Sequence, residues 1–235
     1  MGLAAQFIGG AIGMAYGVIS ASVLLSFGYS PALSSASVHA AKVFTTLTSG
    51  ASHLKFGNVD KRLVMRLVYT GVIFGALGAF VCTKAPGEIL TPFVAAYLAA
   101  TGVIILIRIF RPIRLHISEG RIPITGSVAA FFDAMGGGGW GPISTSTLMA
   151  GGHNPRLTIG SVNLAGFAVA VAETLVFFTF LGLRHADLVI GLTVGGVAVA
   201  PLAAYLCKKM PTKLLMLIAG ALIMCLSIKT IFYSL

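Results

Sequence analysis

The sequence predicts an all-α membrane protein of eight hydrophobic segments, arranged as two inverted-topology repeats whose first and fifth segments are broken or re-entrant. Three observations carry this. Of 235 residues, 57% are hydrophobic and only 9% charged, with a mean hydropathy of +0.98. A soluble domain of this length needs a charged surface that this chain lacks. Apolar runs long enough to cross a bilayer recur from end to end. Finally, residues 13–37 lie over residues 137–161 without a gap: Gly13 falls on Gly137, Gly17 on Gly141, Ile19 on Ile143, Ser20 on Ser144, Ser22 on Ser146, Gly28 on Gly152, Pro31 on Pro155 and Ser37 on Ser161. Such residues dictate backbone shape and polar contact, and a duplicated, interrupted apolar segment marks transporters built on internal repeats.

The segments run over residues 3–27, 31–54, 63–82, 89–110, 122–150, 157–181, 188–206 and 214–233. The first has no basic flank or cleavage site, so it is expected to belong to the mature protein. Pro31, Pro86 and Pro155 stand where helices begin, because proline's missing N–H is no loss there. The chain is one transmembrane domain over 1–235: repeat one over 1–110, a linker over 111–121, and repeat two over 122–235.

Lys and Arg set the orientation. Lys55, Lys61 and Arg62 lie between the second and third segments. Arg111, Arg114 and Arg121 lie in the linker, with Arg108 just before it, and Lys208, Lys209 and Lys213 lie between the seventh and eighth segments. All three connections are expected in the cytoplasm. Eight simple crossings cannot put them there, since three crossings from an inner linker end outside. The conflict disappears if one segment of each half fails to cross, and the glycine-interrupted first and fifth are the natural ones. Each half then crosses an odd number of times, and the halves are inverted. Most of the basic residues behind the net charge of +10 lie in these connections, so the expected partner is the lipid bilayer and not nucleic acid. Cys82, Cys207 and Cys225 are too far apart for a metal or disulfide framework and read as packing residues. No cofactor or metal is expected.

The fifth segment contains Asp133-Ala134-Met135-Gly136-Gly137-Gly138-Gly139-Trp140-Gly141-Pro142-Ile143-Ser144-Thr145-Ser146. Each glycine costs about 1 kcal/mol in a helix relative to alanine, so the helix is expected to stop and a new one to start near Pro142. The new helix would present free N–H groups and its positive dipole end to a small anion, with Ser144, Thr145 and Ser146 as added donors. Ser20 and Ser22 repeat the device in the first segment. Gly9, Gly13 and Gly17, Gly71 and Gly75, and Gly191 and Gly195 read as close-packing seams. Gly136, Gly138 and Gly141 spell G-x-G-x-x-G, but the strand-turn-helix context of dinucleotide binding is missing.

Ionisable groups within apolar segments come next, because each costs about 2.5–3.5 kcal/mol at the bilayer centre. Lys42 lies well inside the second segment and His39 precedes it by one turn on the same face. In the repeat, His39 falls on Asn163 and Lys42 on Gly166. The candidate anion-binding set is therefore Ser20, Ser22, His39, Lys42, Gly139, Trp140, Gly141, Ser144, Thr145, Ser146 and Asn163. Trp140 is read as a wall or gate. Asp133 and Glu173 are read as coupling or gating groups that pair with Lys42, cap freed backbone or carry a proton. Asp60, Glu88, Glu119 and Asp187 read as solvated, and His53, His116, His153 and His185 as interfacial.

At these residues the chain resembles the sulfite exporter TauE/SafE family, also called the toluene sulfonate uptake permease family. The resemblance rests on Gly9-Gly10-Ala11-Ile12-Gly13-Met14-Ala15-Tyr16-Gly17 with Gly28-Tyr29-Ser30-Pro31, on Met135 to Pro142 with Asn154-Pro155 and Gly160-Ser161-Val162-Asn163, and on Lys55-Phe56-Gly57-Asn58-Val59-Asp60. Tyr16 stands where the family often has a further glycine, and Val18 stands where the second half has Pro142. The resemblance implies a transporter of sulfite, sulfonates or related sulfur oxyanions in the bacterial inner membrane. The expected function is a secondary transporter working by alternating access and exporting such an anion, and not an enzyme: no His-x-x-x-His pair or nucleophile-base signature is present. The rivals are a membrane-embedded accessory subunit, a carrier of another small anion, and a cation transporter, which the basic residue in the core disfavours.

Overall fold

A computed structural model of the chain describes residues 2–12, 14–110, 119–182, 186–206 and 212–234. Its elements are α1 (Gly2–Ile12), α2 (Tyr16–Ser26), α3 (Pro31–Lys55), α4 (Lys61–Lys84), α5 (Gly87–Phe110), a 3-10 turn (Glu119–Arg121), α6 (Ile122–Gly136), α7 (Trp140–Ala150), α8 (Pro155–Leu181), α9 (Ala186–Leu206) and α10 (Thr212–Ser234). No strand occurs among the described residues. By length and composition α4, α5, α8 and α9 can each cross a membrane. Met65, Tyr69, Ile73 and Leu77 lie four residues apart along α4 and are all exposed, a stripe suited to lipid. The buried face of α3 is the reverse, with Ser34, Ser35, His39, Lys42, Thr45 and Ser49 all turned inward.

The same capping chemistry starts α3 and α8. Ser30 accepts from Leu33 N at 3.4 Å ahead of Pro31, and Asn154 accepts from Leu157 N at 3.2 Å ahead of Pro155. Each side-chain oxygen satisfies an amide that the helix itself leaves unpaired, and each proline fits the first helical position. Asp60 caps α4, accepting from Arg62 N at 2.9 Å.

Both glycine-interrupted segments are broken. Between α6 and α7, Gly137 takes a left-handed conformation with φ 73°. Between α1 and α2 the left-handed residue is Ala15, with φ 90°; Gly13 lies outside the described residues. The breaks touch. A Cβ on Gly17 would collide with the carbonyl oxygen of Gly137, and one on Gly138 would come within 2.5 Å of Val18 Cα. Only glycine lets the two backbones approach so closely. Of the expected seams, Gly71 packs on Val169 and Trp140, Gly75 on Glu173 and Gly195 on the backbone of Leu3, whereas Gly191 faces open space.

The helix pairings keep their form when the first five helices are exchanged for the last five. α4 packs on α6 as α9 does on α1, and α4 on α8 as α9 does on α3. The pairs α3–α8 and α5–α10 map onto themselves. The contact of α2 with α10 has no counterpart of similar extent between α7 and α5.

One face of the bundle gathers several connections. Arg66 Nη1 donates to Glu119 Oε2 at 2.7 Å. The rings of Phe56 and Tyr205 lie 6.1 Å apart. Ile122, at the start of α6, and His153, just beyond α7, line one cleft with Asp60 and Arg62. On this face the Phe56–Asp60 turn is clasped by the second half. Arg156 donates to Phe56 O at 2.7 Å and to Asn58 Oδ1, and Ser161 Oγ accepts from Asp60 N at 2.8 Å. Arg111, Arg114, His116, His185, Cys207, Lys208 and Lys209 lie outside the described residues. Cys82 is buried, its thiol toward Met135 O at 3.6 Å, and Cys225 is exposed.

Candidate functional site

A cavity of about 50 Å³ lies where the breaks meet. The first residues of α2, Tyr16 and Gly17, and those of α7, Trp140, Gly141 and Pro142, line it together. Gln6 of α1, Met14, Ala15, Gly138, Lys42 and Thr46 of α3, Asp133 of α6, and Val162 and Asn163 of α8 complete the lining. The opening amides of a helix have no intrahelical acceptor, so two positive helix ends converge here.

Behind the cavity sits a buried ionic quartet. Lys42 Nζ donates to Asp133 Oδ2. His39 Nε2 lies 3.2 Å from the same oxygen and 2.9 Å from Glu173 Oε2. Nδ1 of His39 is 2.7 Å from Ser35 O, and Ser35 Oγ donates to Ala134 O at 2.5 Å, tying α3 to α6. His39, Asp133 and Glu173 are fully buried and Lys42 is 5% exposed. Phe177 covers the imidazole, ring centroids 5.8 Å apart. His39, Asp133 and Glu173 have donor types that suit a divalent cation, their atoms within 4.8 Å of one another. The Lys42 ammonium already supplies a positive charge on Asp133, so the group reads as an ion-pair network.

The register that sets Gly13 on Gly137 also sets His39 on Asn163 and Ser49 on Glu173. Ser49 Oγ donates to Asn163 Oδ1 at 3.1 Å. The His39–Glu173 pair therefore has a neutral image in Ser49–Asn163. Tyr16 and Trp140 correspond in the same way. Trp140 Nε1 donates to Val162 O at 2.9 Å, and its indole lies where a Cβ on Gly166 would be 2.9 Å away. This explains why the position matching Lys42 is glycine: the indole fills it.

Of the residues singled out on the sequence, Lys42, Trp140, Gly141, Asn163 and Asp133 share the cavity. His39 and Glu173 lie behind it, joined through Asp133. Gly139 caps α7 beside the backbone of Asp133. Ser20, Ser22, Ser144, Thr145 and Ser146 are buried further along α2 and α7 and do not line the cavity; the serine hydroxyls have no hydrogen-bond partner among the described residues. Gln6, Met14, Tyr16 and Thr46 are lining residues the sequence reading did not pick. Thr46 sits one turn beyond Lys42, and Gln6 is the one side-chain amide in the first apolar run, so both carried a signal.

A family model described as Sulfite exporter TauE/SafE matches residues 1–230. Among curated proteins, the chain is 40% identical over 241 aligned positions to a probable membrane transporter protein, YtnM, of Bacillus subtilis (strain 168), an alignment covering 98% of this chain and 80% of that protein. No solved structure matches the chain.

Proposed function

Since the chain belongs to the sulfite exporter TauE/SafE family and is a multi-pass membrane transporter, we propose that it exports a small sulfur oxyanion, sulfite or a short organosulfonate, across the cell inner membrane. The observation that carries this reading is the cavity between the two breaks, where two helix N-termini and the Lys42 ammonium face one space. Its size suits a guest of a few non-hydrogen atoms, which favours sulfite over an aryl sulfonate. Asn163, Trp140 and Gly141 orient the anion, and the hydroxyls of Ser20, Ser22, Ser144, Thr145 and Ser146 meet it along the path as α2 and α7 shift.

The exchangeable helix pairings support two inverted repeats, with α1–α2 and α6–α7 entering and leaving by the same face and the remaining helices crossing. Alternating access rocks one repeat against the other. An inside-negative potential favours outward movement by about 2.3 kcal/mol per negative charge per 100 mV, so an anion travelling alone leaves the cell downhill. The topology makes the face that holds Lys55 and Glu119 cytoplasmic. A cysteine at position 209, in a chain lacking Cys82, Cys207 and Cys225, is expected to react with an impermeant maleimide only from the cytoplasmic side. Labelling only from outside would refute the inverted arrangement.

The function is tested by titrating sulfite, sulfate, thiosulfate and methanesulfonate onto the purified protein and following its thermal stability. At least one is expected to stabilise wild type. Stabilisation by none of them would point instead to a membrane-embedded accessory subunit.

A further inference from the structure

The quartet behind the cavity holds a proton that its geometry makes unavoidable. Nδ1 of His39 meets only acceptors, Ser35 O at 2.7 Å and Ser35 Oγ at 3.1 Å, whose own hydrogen goes to Ala134 O. Nδ1 therefore bears a hydrogen. Nε2 is hydrogen-bonded to Asp133 Oδ2 at 3.2 Å and lies 2.9 Å from Glu173 Oε2. A bare imidazole nitrogen and a carboxylate oxygen are both acceptors, so a hydrogen lies between Nε2 and Asp133. Either the imidazole is doubly protonated or a carboxyl group donates to it. Both descriptions put one exchangeable proton among His39, Asp133 and Glu173. With that proton, and Lys42 charged, the quartet sums to zero.

We propose that Asp133 takes up a further proton when the anion binds, so that the carrier moves anion and proton together. The proposal rests on the reading of the cavity as an anion site. Lys42 and Asp133 both line the cavity, and Lys42 is already committed to Asp133 Oδ2. An arriving anion competes with Asp133 for one ammonium and meets a carboxylate of its own sign. Asp133 Oδ1 is buried without a hydrogen-bond partner among the described residues. A proton accepted there from the cavity frees Lys42 for the anion and returns the buried total to zero. The other titratable groups near Asp133 are His39 on α3, Glu173 on α8 and Tyr97 on α5, while Cys82 on α4 turns its thiol to Met135 O. The neutral image pair, Ser49–Asn163, has no such proton to offer, so one proton accompanies one anion.

A monoanion then crosses without net charge, so the potential no longer drives it and an interior more alkaline than the outside opposes its export; export driven by the potential is left to a dianion such as sulfite. A dianion keeps one charge, and the membrane potential still pulls it outward.

Methanesulfonate, which stays unprotonated across the working range, is titrated calorimetrically onto wild type at pH 6, 7 and 8 in buffers of different ionisation enthalpy. One proton taken up per anion bound is expected, with affinity falling about tenfold per pH unit above the midpoint. In Asp133→Asn the uptake and the pH dependence are expected to vanish, whatever affinity the variant keeps. In proteoliposomes, a methanesulfonate gradient is expected to move the internal pH with wild type and not with the variant. Wild type that binds methanesulfonate equally at pH 6 and pH 8 without proton uptake overturns the proposal and leaves the anion site standing. Uptake that persists in Asp133→Asn overturns the assignment to Asp133. If neither methanesulfonate nor sulfite binds at any pH, the anion site falls and the proposal with it. Should the variant fail to assemble, the wild-type proton count decides alone.

Discussion

Anion transport by Lys42→Met is expected to fall about 100-fold or more, because truncating one partner of a buried charge contact costs about 2–5 kcal/mol. Lys42 is the only ammonium among the residues that line the cavity, and methionine matches its length without its charge. The variant also strands Asp133 beside His39, so a loss of stability is expected together with the loss of function. The double variant Lys42→Met/Asp133→Asn separates the two effects. It removes both charges, so thermal stability should return toward wild type while sulfite binding stays absent. Transport at more than a tenth of the wild-type rate in the well-folded double variant would remove Lys42 from the site.

Gly17→Ala is expected to be strongly damaging. The added methyl meets the carbonyl oxygen of Gly137, a backbone atom that no rotamer change can move. Overpacking typically costs about 1–3 kcal/mol, and an obstructing main chain belongs at or beyond the top of that range. A matched control lies in Gly191→Ala. Gly191 sits within α9 with nothing within 4 Å of its added Cβ, and alanine is the better helix former by about 1 kcal/mol. Melting of the purified variants should show Gly17→Ala strongly destabilised and Gly191→Ala neutral or slightly stabilised. Similar behaviour of the two would mean that the breaks do not touch.

Much of the helical plan was legible because the signals were local. Ser30-Pro31 and Asn154-Pro155 each combine a capping side chain with the proline that fits the first turn, and Gly136 to Gly139 carry their helix-breaking cost wherever they stand. The first break was read on its glycines, yet its left-handed residue among those described is Ala15. Lys42 was legible as costly and its partner was not. Asp133 and Glu173 lie far along the chain, and only the packing of α3 against α6 and α8 tells them apart. The serines of α2 and α7 were placed at the cavity because they repeat. These two helices are enclosed on nearly every side, so polarity along them does not report which face looks into the opening.

On the proposed two-repeat architecture, the quartet also bears on how a duplicated chain becomes permanent. The first half contributes His39 and Lys42, and the second contributes Asp133 and Glu173. An ancestral dimer of two first halves carrying those residues would bury positive charge alone, and a dimer of two second halves negative charge alone. Neither self-pairing is tolerable in a low-dielectric interior. These four side chains therefore fit an origin after the genes were joined. Once in place they turn fusion into a ratchet, because neither half can return to life as a homodimer.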